Sequence, residues 1–326
     1  MRKIVVAGSI LVDRINTIDA YPRAGELAQI RSASRVPGGL VPNTGRDIRI
    51  LAPEVPVAAF GMVGDDDDGR FATDAMAQSG MDVAGVVATR GAPTAFTDVM
   101  SVAGGERTFF TCPGASAQWG YDDFPFERVS PGDIVLLGYF LLLEKVDAGD
   151  GRRILGRLKS IGAKTAIDLV TENSDRYGLV RECLPDVDFL IVNETEAAHV
   201  AGAADPSDLA SVAKALVALG VRERVVIHHP RGAVSLTRDG VWTERRALEL
   251  PDGFIRGKTG AGDAFCAGAL VGIFKDLPGA EILDLGSLAA VGALSAPGAT
   301  EGMRSVAELR RLVAELENGK NAERSR

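Results

Sequence analysis

A glycine-rich segment near residue 260 carries the residue types best suited to chemistry. Gly260 and Gly262 flank Ala261, Asp263 follows, and an apolar, helix-compatible stretch continues to Ile273. Because glycine has no Cβ, backbone N–H groups here can face an anion, and the start of a helix favours negative charge. Asp263 would stand beside that anion, where a base could take a proton from a hydroxyl. The segment predicts phosphoryl transfer to an alcohol; a tight turn entering a capped helix is the alternative.

A second phosphate-binding pattern, just upstream, is incomplete. Gly253, Gly257, Lys258 and Thr259 resemble the G-x-x-x-x-G-K-[ST] loop, but the spacing is one residue short. The preceding residues 245–251 also make a poor buried strand. We therefore do not expect a P-loop.

The composition is that of an ordinary globular protein. The chain has 326 residues, of which 46% are hydrophobic and 25% charged, and its net charge is -8. That charge, without a basic cluster, argues against a nucleic-acid partner. Three widely spaced cysteines form no C-x-x-C pair, which fits a reducing compartment. No apolar run is long enough for a signal peptide or a membrane span, so we expect a cytoplasmic protein without membrane contact.

Short β-branched runs alternate with helix-like stretches along the chain. The runs lie at 3–7, 133–137, 165–167, 189–192 and 224–227, and helical spacing of apolar residues is found at 208–219 and from 262 onward. Apolar strands bounded by turn residues and separated by helices are typical of parallel sheets. The pattern predicts an α/β sandwich on a mostly parallel sheet.

Two regions, 11–36 and 92–112, depart from this alternation. Residues 94–102 and 106–112 flank a Gly-Gly pair and read as a hairpin, and residues 13–18 and 28–36 could add further strands. We interpret these segments as a small sheet packed over one edge of the main domain. Extra strands of the main sheet are the alternative.

Several motifs in order along the chain resemble the ribokinase-like (PfkB) carbohydrate kinase family over almost the full length. Besides residues 260–263 they are Gly8 and Asp13, Pro37-Gly38-Gly39 with Asn43, Gly61 to Asp66 ending in Gly69, Asn193 to Ala197, and Pro297-Gly298-Ala299. Their order and spacing together are specific. The resemblance implies a three-layer αβα sandwich with a β-sheet lid. The main domain would comprise 1–12, 37–91 and 113–315, the lid 13–36 and 92–112, and residues 316–326 a disordered tail.

The resemblance also implies roles for individual residues. The substrate's hydroxyls would be held by Asp13, Gly38, Gly39 and Asn43, with lid residues Arg107 and Phe109 facing the sugar. The nucleotide would be bound by Asn193, Glu196, His228, Gly232, Lys258 and Thr259, with Glu196 also holding Mg²⁺ through water. Without the family, Asp13 and the glycines would be turn residues, and Asn193 and Glu196 a helix cap with its capping-box partner.

The resulting expectation is ATP-dependent phosphorylation of a sugar or sugar-acid hydroxyl. Asp263 would be the base, the amides of Gly260, Ala261 and Gly262 the anion hole, ATP and Mg²⁺ the requirements, and a homodimer the assembly. Two alternatives stay open. A nucleoside kinase of the same fold would use an aromatic slot near the lid, formed by Phe96, Phe109 and Phe110. A sugar- or nucleotide-binding regulator would have lost turnover.

Two departures from the family pattern weaken particular expectations. Gly257-Lys258 replaces an Asp-Thr pair found in many relatives that bind a monovalent cation, so a potassium requirement is doubtful. We hypothesise that the Lys258 ammonium takes the place of that cation. His228 and His229 would point to opposite faces of a strand, so we do not expect a metal pair.

Overall fold

The β-branched runs form strands that assemble into two sheets. The structure, a computed structural model, describes residues 2–102, 107–171 and 175–324, with side chains up to residue 318. The strands are β1 (Ile4–Ala7), β2 (Leu11–Ile18), β3 (Ile30–Gly38), β4 (Val57–Gly64), β5 (Asp82–Thr89), β6 (Ala95–Val102), β7 (Arg107–Cys112), β8 (Ile134–Phe140), β9 (Lys164–Leu169), β10 (Phe189–Asn193), β11 (Arg224–His229), β12 (Gly232–Thr237) and β13 (Trp242–Arg246).

Nine of these strands form the large sheet, in the order β13-β12-β11-β10-β9-β8-β1-β4-β5. Neighbouring strands run parallel except that β12 pairs antiparallel with both β11 and β13. The prediction of a mostly parallel sheet is therefore confirmed.

Helices cover both faces of the large sheet. They are α1 (Leu40–Leu51), α2 (Asp67–Gln78), α3 (Gly114–Gln118), α4 (Gly151–Ile161), α5 (Gly178–Arg181), α6 (Glu194–Ala201), α7 (Leu209–Ala218), α8 (Ala261–Phe274), α9 (Gly279–Leu294) and α10 (Val306–Arg324). In β1, Ile4 and Val6 join a core built with α1, α2, α8, α9 and α10, whereas Val5 and Ala7 join a second core with α3 to α7. This alternation of side chains between faces produces the expected three layers. No helix in the described part of the chain combines the length and apolarity that crossing a membrane requires.

The small sheet is separate from the large one and has the strand order β3-β2-β6-β7. We call it the lid sheet. It contains the two segments that break the α/β alternation, although β2 begins and β3 ends two residues beyond the expected lid bounds of 13 and 36. Strands β6 and β7 pair antiparallel as the expected hairpin. The Gly-Gly turn proposed between them, at 104–105, lies outside the described residues.

The C-terminal region differs from the expectation of a disordered tail at 316–326. Helix α10 continues to Arg324. Its first half is tied to the fold because Leu309 is fully buried and Leu312 and Val313 pack against the same core. A helix anchored in this way extends at little cost, since each added residue gains one backbone hydrogen bond. Residues 325–326 lie outside the described residues.

The strand order places a crevice beside β1. Chain connections lead from β1 toward β4 on one side, while β8 lies on its other side, so the order of strands reverses there. In open α/β sheets, ligands bind at the carboxyl ends of strands at such a point. Gly8 follows β1 with φ +144°, and a Cβ at this position would lie 2.6 Å from the Gly138 carbonyl oxygen. The backbones therefore approach closely at the crevice.

Candidate active site

Asp263 lies in the first turn of α8 and its carboxyl is buried at the crevice. Asn43 Nδ2, from α1, donates to Asp263 Oδ2 at 2.9 Å. The Tyr139 hydroxyl, from the end of β8, donates to both carboxyl oxygens at 3.2 and 3.1 Å. The start of α8 has no side-chain cap hydrogen bond, so the capped-helix alternative does not describe this carboxyl. Asp263 is instead oriented by groups from two other elements.

Burial raises the pKa of Asp263 to about 6, and the hydrogen bonds from Asn43 and Tyr139 oppose that rise. Burial and the nearby Asp263 charge raise the pKa of Tyr139 well above its usual value, so its phenol remains a donor. A base with a pKa near 6 is mostly ionised at neutral pH. Asp263 can therefore accept a proton under those conditions.

Tyr139 is held in an unusual backbone conformation. Its φ is +58°, in the left-handed region that residues other than glycine rarely occupy. The pairing of β8 with β9 shifts register between Leu137 and Phe140, which turns this residue out of the regular alternation. Such strain persists where the surrounding structure overdetermines it and is typical of functional sites.

The glycine segment forms the turn that starts α8. Gly260 has φ +77°, and a Cβ there would lie 2.6 Å from the Ala299 carbonyl oxygen, so the Pro297-Gly298-Ala299 motif packs directly against this turn. The Ala261 N–H donates to the Lys258 carbonyl at 3.3 Å. The N–H groups of the first turn of α8, including that of Gly262, have no acceptor within the helix. An anion placed here would meet these amides, although the long Ala261 bond would have to open.

The four residues expected at the substrate converge from β2, β3 and α1. The Gly38 position faces the Asp13 carboxyl directly, because a Cβ there would overlap Asp13 Oδ2. Gly39 has φ +87° and precedes α1, which carries Asn43. Burial raises the pKa of Asp13 to about 6. The Asp13 charge is in turn one of the causes that raise the pKa of Tyr139. The structure thus brings Asp13, Gly38 and Asn43 to the same side of the crevice as Asp263.

Arg107 and Phe109 lie on β7 at the outer edge of the lid sheet. Strand pairing aligns Phe109 with Val99 and Thr111 with Thr97, and Thr97 in turn with Asp13. Alternate residues share a face, so Arg107 and Phe109 are on the Asp13 face of the lid sheet. Both are exposed, Phe109 to 64%. The structure gives them the expected face but no contact with the crevice.

Asn193 and Glu196 form a capping box at the start of α6. Asn193 Oδ1 accepts from the Glu196 N–H at 2.9 Å, and Glu196 Oε2 accepts from the Asn193 N–H at 3.0 Å. The capping alternative is therefore realised, but it does not remove the pair from the site. The Thr171 hydroxyl donates to Glu196 Oε1 at 2.7 Å, and both members of the pair line the cavity next to Asp263.

This active-site cavity has a volume of about 150 Å³. It is lined by Tyr139, Asp168, Leu169, Val170, Thr171, Asn193, Glu196, His228, Gly260, Gly262 and Asp263. The carboxyl ends of β8, β9, β10 and β11 and the start of α8 all contribute. Asn43, which does not line this cavity, donates to Asp263, so the carboxyl connects the cavity with the residues expected at the substrate.

The remaining nucleotide-site expectations divide into two groups. His228 lines the cavity, its ring lies 4.7 Å from that of Phe265, and burial lowers its pKa to about 4, so it is neutral. Lys258 and Thr259 are exposed in the loop before α8. Gly232 does not line the cavity. The space that a Cβ at Gly232 would take is occupied by the Arg245 backbone of the neighbouring strand β13.

The donor set tests the expected Mg²⁺ site. Asp168 and Glu196 are buried carboxyls, and burial raises the pKa of each, with Glu196 further raising that of Asp168. In residues 2–102, 107–171 and 175–324, no three His, Cys, Asp or Glu side chains are arranged to hold a metal. Mg²⁺ needs only one or two carboxylates when waters and substrate phosphates complete its shell. The pair fits an ion held in that way, partly through water.

Three residues of this candidate site were not identified from the sequence: Tyr139, Asp168 and Thr171. Each stands singly at or just after the end of a buried strand, without a surrounding motif. Their signal was positional, since polar residues at the carboxyl ends of parallel strands face the ligand edge of the sheet. That reasoning requires the strand order.

Comparisons with known proteins provide evidence that is independent of this geometry. The family described as "pfkB family carbohydrate kinase" matches residues 1–305. An adenosine kinase of Schizophyllum commune is 29% identical over 75% of this chain and 75% of its own length. A cytidine kinase of Thermococcus kodakarensis is 32% identical over 41% of this chain and 47% of its own length. The structure of an Arabidopsis thaliana ribokinase, complexed with ribose and ATP, superposes with a TM-score of 0.82 at 22% identity, covering 96% of this chain and 99% of that one. The chain therefore belongs to the pfkB family of carbohydrate kinases, and it is an ATP-dependent kinase.

Proposed function

We propose that this kinase phosphorylates a hydroxyl of a sugar or sugar acid, with Asp263 as the catalytic base. The observation that carries the proposal is the position of Asp263, which is buried, bonded by Asn43 and Tyr139, and next to the amides that begin α8. An acceptor hydroxyl bound there would lie between a proton acceptor and an anion-stabilising helix start.

In the proposed mechanism, Asp13 and Asn43 hold the acceptor's hydroxyls while Gly38 and Gly39 let it approach the backbone. Asp263 accepts the proton of the attacking hydroxyl, and the first-turn amides of α8 stabilise charge on the transferred phosphoryl group. The Tyr139 phenol and the Asn43 amide keep the carboxyl oriented and favour its ionised form. Mg²⁺, when bound near Glu196 and Asp168, would neutralise charge on the nucleotide phosphates.

The test is Asp263→Asn, measured as ADP release against a panel of sugars, sugar acids and nucleosides. The amide cannot accept the proton, so we expect kcat to fall by about 10² to 10⁴-fold while ligand binding, followed by thermal shift, is kept. Tyr139→Phe is the matched control, because it removes the phenol's hydrogen bonds to both carboxyl oxygens but leaves the base. Its loss should be much smaller.

Two outcomes would contradict the proposal. If Asp263→Asn keeps wild-type turnover, another group is the base. If wild type and Asp263→Asn bind ligand equally and neither turns over any acceptor, the protein is a binding regulator. Magnesium dependence belongs to the same assay, with activity expected to vanish on chelation.

A nucleoside acceptor is the second candidate, favoured by the similarity to proteins named adenosine kinase and cytidine kinase. The expected aromatic slot is only partly supported. Phe109 shares a face with Asp13, but Phe96 and Phe110 lie on the opposite face, where Arg14 covers the Phe96 ring at 3.9 Å. A nucleoside base would therefore rely on Phe109, and Phe109→Ala should weaken nucleosides more than simple sugars.

The loop before α8 bears on cation dependence. Lys258 is exposed beside the start of the helix, and no ion pair involves it within the described residues. We propose that its ammonium serves in place of a monovalent cation near the nucleotide phosphates. Equal activity with and without potassium, together with a loss in Lys258→Ala, is expected; a strong potassium requirement in wild type would refute the idea.

A further inference from the structure

A second cleft lies at the edge of the large sheet opposite Asp263. It has a volume of about 560 Å³ and is lined by Phe189, Arg222, Glu223, Arg224, Thr237, Arg238 and Asp239. We call it the arginine cleft. Strand β11 begins with Arg224 in this cleft and reaches the active-site cavity at His228. Four residues of strand span about 13 Å, so the cleft is separate from the catalytic site.

The arginine cleft carries an excess of positive charge that its own carboxylates do not balance. Glu223 is paired with Lys164, and the Asp239 carboxylate accepts from the Thr237 hydroxyl. Arg222 lies 3.5 Å from Asp188, but that buried carboxylate is already bonded by Lys159 at 2.7 Å. No ion pair of Arg238 occurs within the described ranges. Three guanidinium groups therefore share the cleft with two carboxylates. Glu223 is shared with Lys164 and Arg222 has Asp188, whereas Asp239 keeps its charge because a hydroxyl does not neutralise it.

Arg224 is the most unusual of the three. It is partly buried, and its Nη1 donates to the Ser235 hydroxyl at 2.7 Å, yet no carboxylate of residues 2–102, 107–171 or 175–324 forms an ion pair with it. Burial lowers its pKa, and the charges of Asp239 and Glu223 only partly offset this. A partly desolvated charge without a counterion is costly.

The surroundings of Arg224 add further positive potential. A Cβ at Gly279 would lie 2.6 Å from Arg224 Nη1, so the guanidinium sits against the first residue of α9. The start of a helix carries partial positive charge, which disfavours a cation and favours an anion. Arg224 thus extends from the cleft to the start of α9, where two positive features repel one another. An anion bound to Arg224 in the cleft would offset part of that repulsion.

We propose that the arginine cleft binds a small phosphorylated metabolite or free phosphate, through Arg224 and Arg238. Guanidinium groups bond phosphate oxygens with two parallel N–H donors, which suits this ligand better than a single charge such as chloride. The site is independent of the proposed catalytic function, since it shares no residue with the active-site cavity.

The test is calorimetric titration with inorganic phosphate and, separately, with glycerol 3-phosphate, at matched ionic strength. Saturating ADP is present so that the probes cannot bind in the active site. The titrations are repeated without ADP, so that the result does not rely on ADP binding to this protein. The variants are Arg224→Gln and Arg238→Gln. Arg157→Gln, on an exposed turn of α4, is the matched control because it removes the same charge elsewhere. No turnover is measured, so the binding result can be interpreted even if the proposed kinase reaction is not observed.

We expect at least about tenfold weaker binding in each cleft variant, as for loss of a charge-assisted hydrogen bond, and no change in Arg157→Gln. Arg238 is exposed, so its variant should fold even if Arg224→Gln does not. Tighter binding of glycerol 3-phosphate identifies a phosphate ester as the ligand, and equal binding identifies free phosphate. Absence of binding to wild type by both probes, or equal binding by wild type and both cleft variants, would overturn the proposal.

Discussion

Asp263 is a buried carboxyl and Asp13 a partly buried one, and the pKa values of both rise to about 6, but their partners differ. Asp263 receives hydrogen bonds from Asn43 and Tyr139, whereas burial alone is the cause at Asp13. Asp263 is thus prepared for its charge before substrate arrives. Asp13 is not, and substrate hydroxyls would supply the missing donors.

Acid pH should therefore inactivate the enzyme in a characteristic way. Both carboxyls must be ionised in the proposed mechanism, and both become protonated as pH falls through about 6. We expect kcat/KM to fall by about a hundredfold per pH unit well below 6, and by about tenfold per unit in Asp13→Asn. The measurement is kcat/KM across pH with a saturating nucleotide. A tenfold slope in wild type would show that only one of the two carboxyls controls activity.

The residues that sequence could identify are those embedded in patterns. Asp263 follows two glycines, and Asn193 and Glu196 have capping-box spacing, so each was visible from its neighbours. Tyr139 and Asp168 were not, because their importance comes from the position of β8 and β9 beside β1 and β10. The left-handed φ of Tyr139 likewise depends on tertiary contacts rather than on local propensity.

At the scale of elements, the start of α2 is tied to the lid sheet through Asp68. Its carboxylate accepts from Arg14 Nη2 of β2 at 2.6 Å and from Arg35 Nη1 of β3 at 2.9 Å. Each guanidinium also lies over an aromatic ring, Arg14 over Phe96 and Arg35 over Phe71. Arg14 is adjacent to Asp13, and β3 ends at Gly38. One carboxylate on α2 thus helps to place both strands that carry proposed substrate-binding residues.

Asp68→Asn should consequently affect the acceptor and not the nucleotide. Loss of two partly exposed ion pairs is worth roughly 0.5 to 1.5 kcal/mol, so we expect the acceptor KM to rise about two- to tenfold while the KM for ATP is unchanged. The control is Asp67→Asn, which removes an exposed carboxylate bonded to Arg70. The measurement is initial-rate kinetics with the acceptor and ATP varied in turn, which gives the KM of each. Equal changes in both KM values would mean that Asp68 has no specific role in placing the lid strands.

Element types were easier to predict than their partners. The buried runs at β1, β8, β10 and β11 are β-branched and bounded by turn residues, so they were recognisable as strands. Whether the lid strands would join the main sheet was not decidable, because alternation defines two faces but not a neighbour. The parallel pairing of β2 with β6 joins residues 11–18 to 95–102, far apart in sequence. Only the folded topology establishes it.

At the scale of the whole molecule, exposed apolar side chains concentrate on the lid segments. Among the described residues, six of the eleven large apolar side chains that are exposed lie there: Tyr21, Leu27, Ile30, Val36, Phe109 and Phe110. They lie on both faces of the lid sheet, since Phe110 is on the face opposite Phe109, and exposed apolar side chains concentrated on one element commonly mark an interaction site. We propose that a second copy of this chain covers it, as the family resemblance implies.

Charge placed on this surface should therefore dissociate the assembly. We expect wild type to sediment as a dimer and Leu27→Asp combined with Phe110→Asp to sediment as a monomer, because a buried unpaired carboxylate is costly. Leu142→Asp is the control, since Leu142 is exposed to 45% outside the lid. Analytical ultracentrifugation at several concentrations provides the measurement. A monomeric wild type would refute the dimer.

The central position of β1 in the large sheet also affects how the chain folds while it is being translated. Ile4 pairs with Val57 on one side and with Ile134 on the other, and all four residues of β1 are buried. Translation at about 5 to 20 residues per second leaves roughly 7 to 26 seconds before β8 has been synthesised. Throughout that interval the edge of β1 that pairs with β8 is uncovered. The nascent chain is then most exposed to aggregation, and chaperone occupancy should peak before residue 134 emerges from the ribosome and fall afterwards.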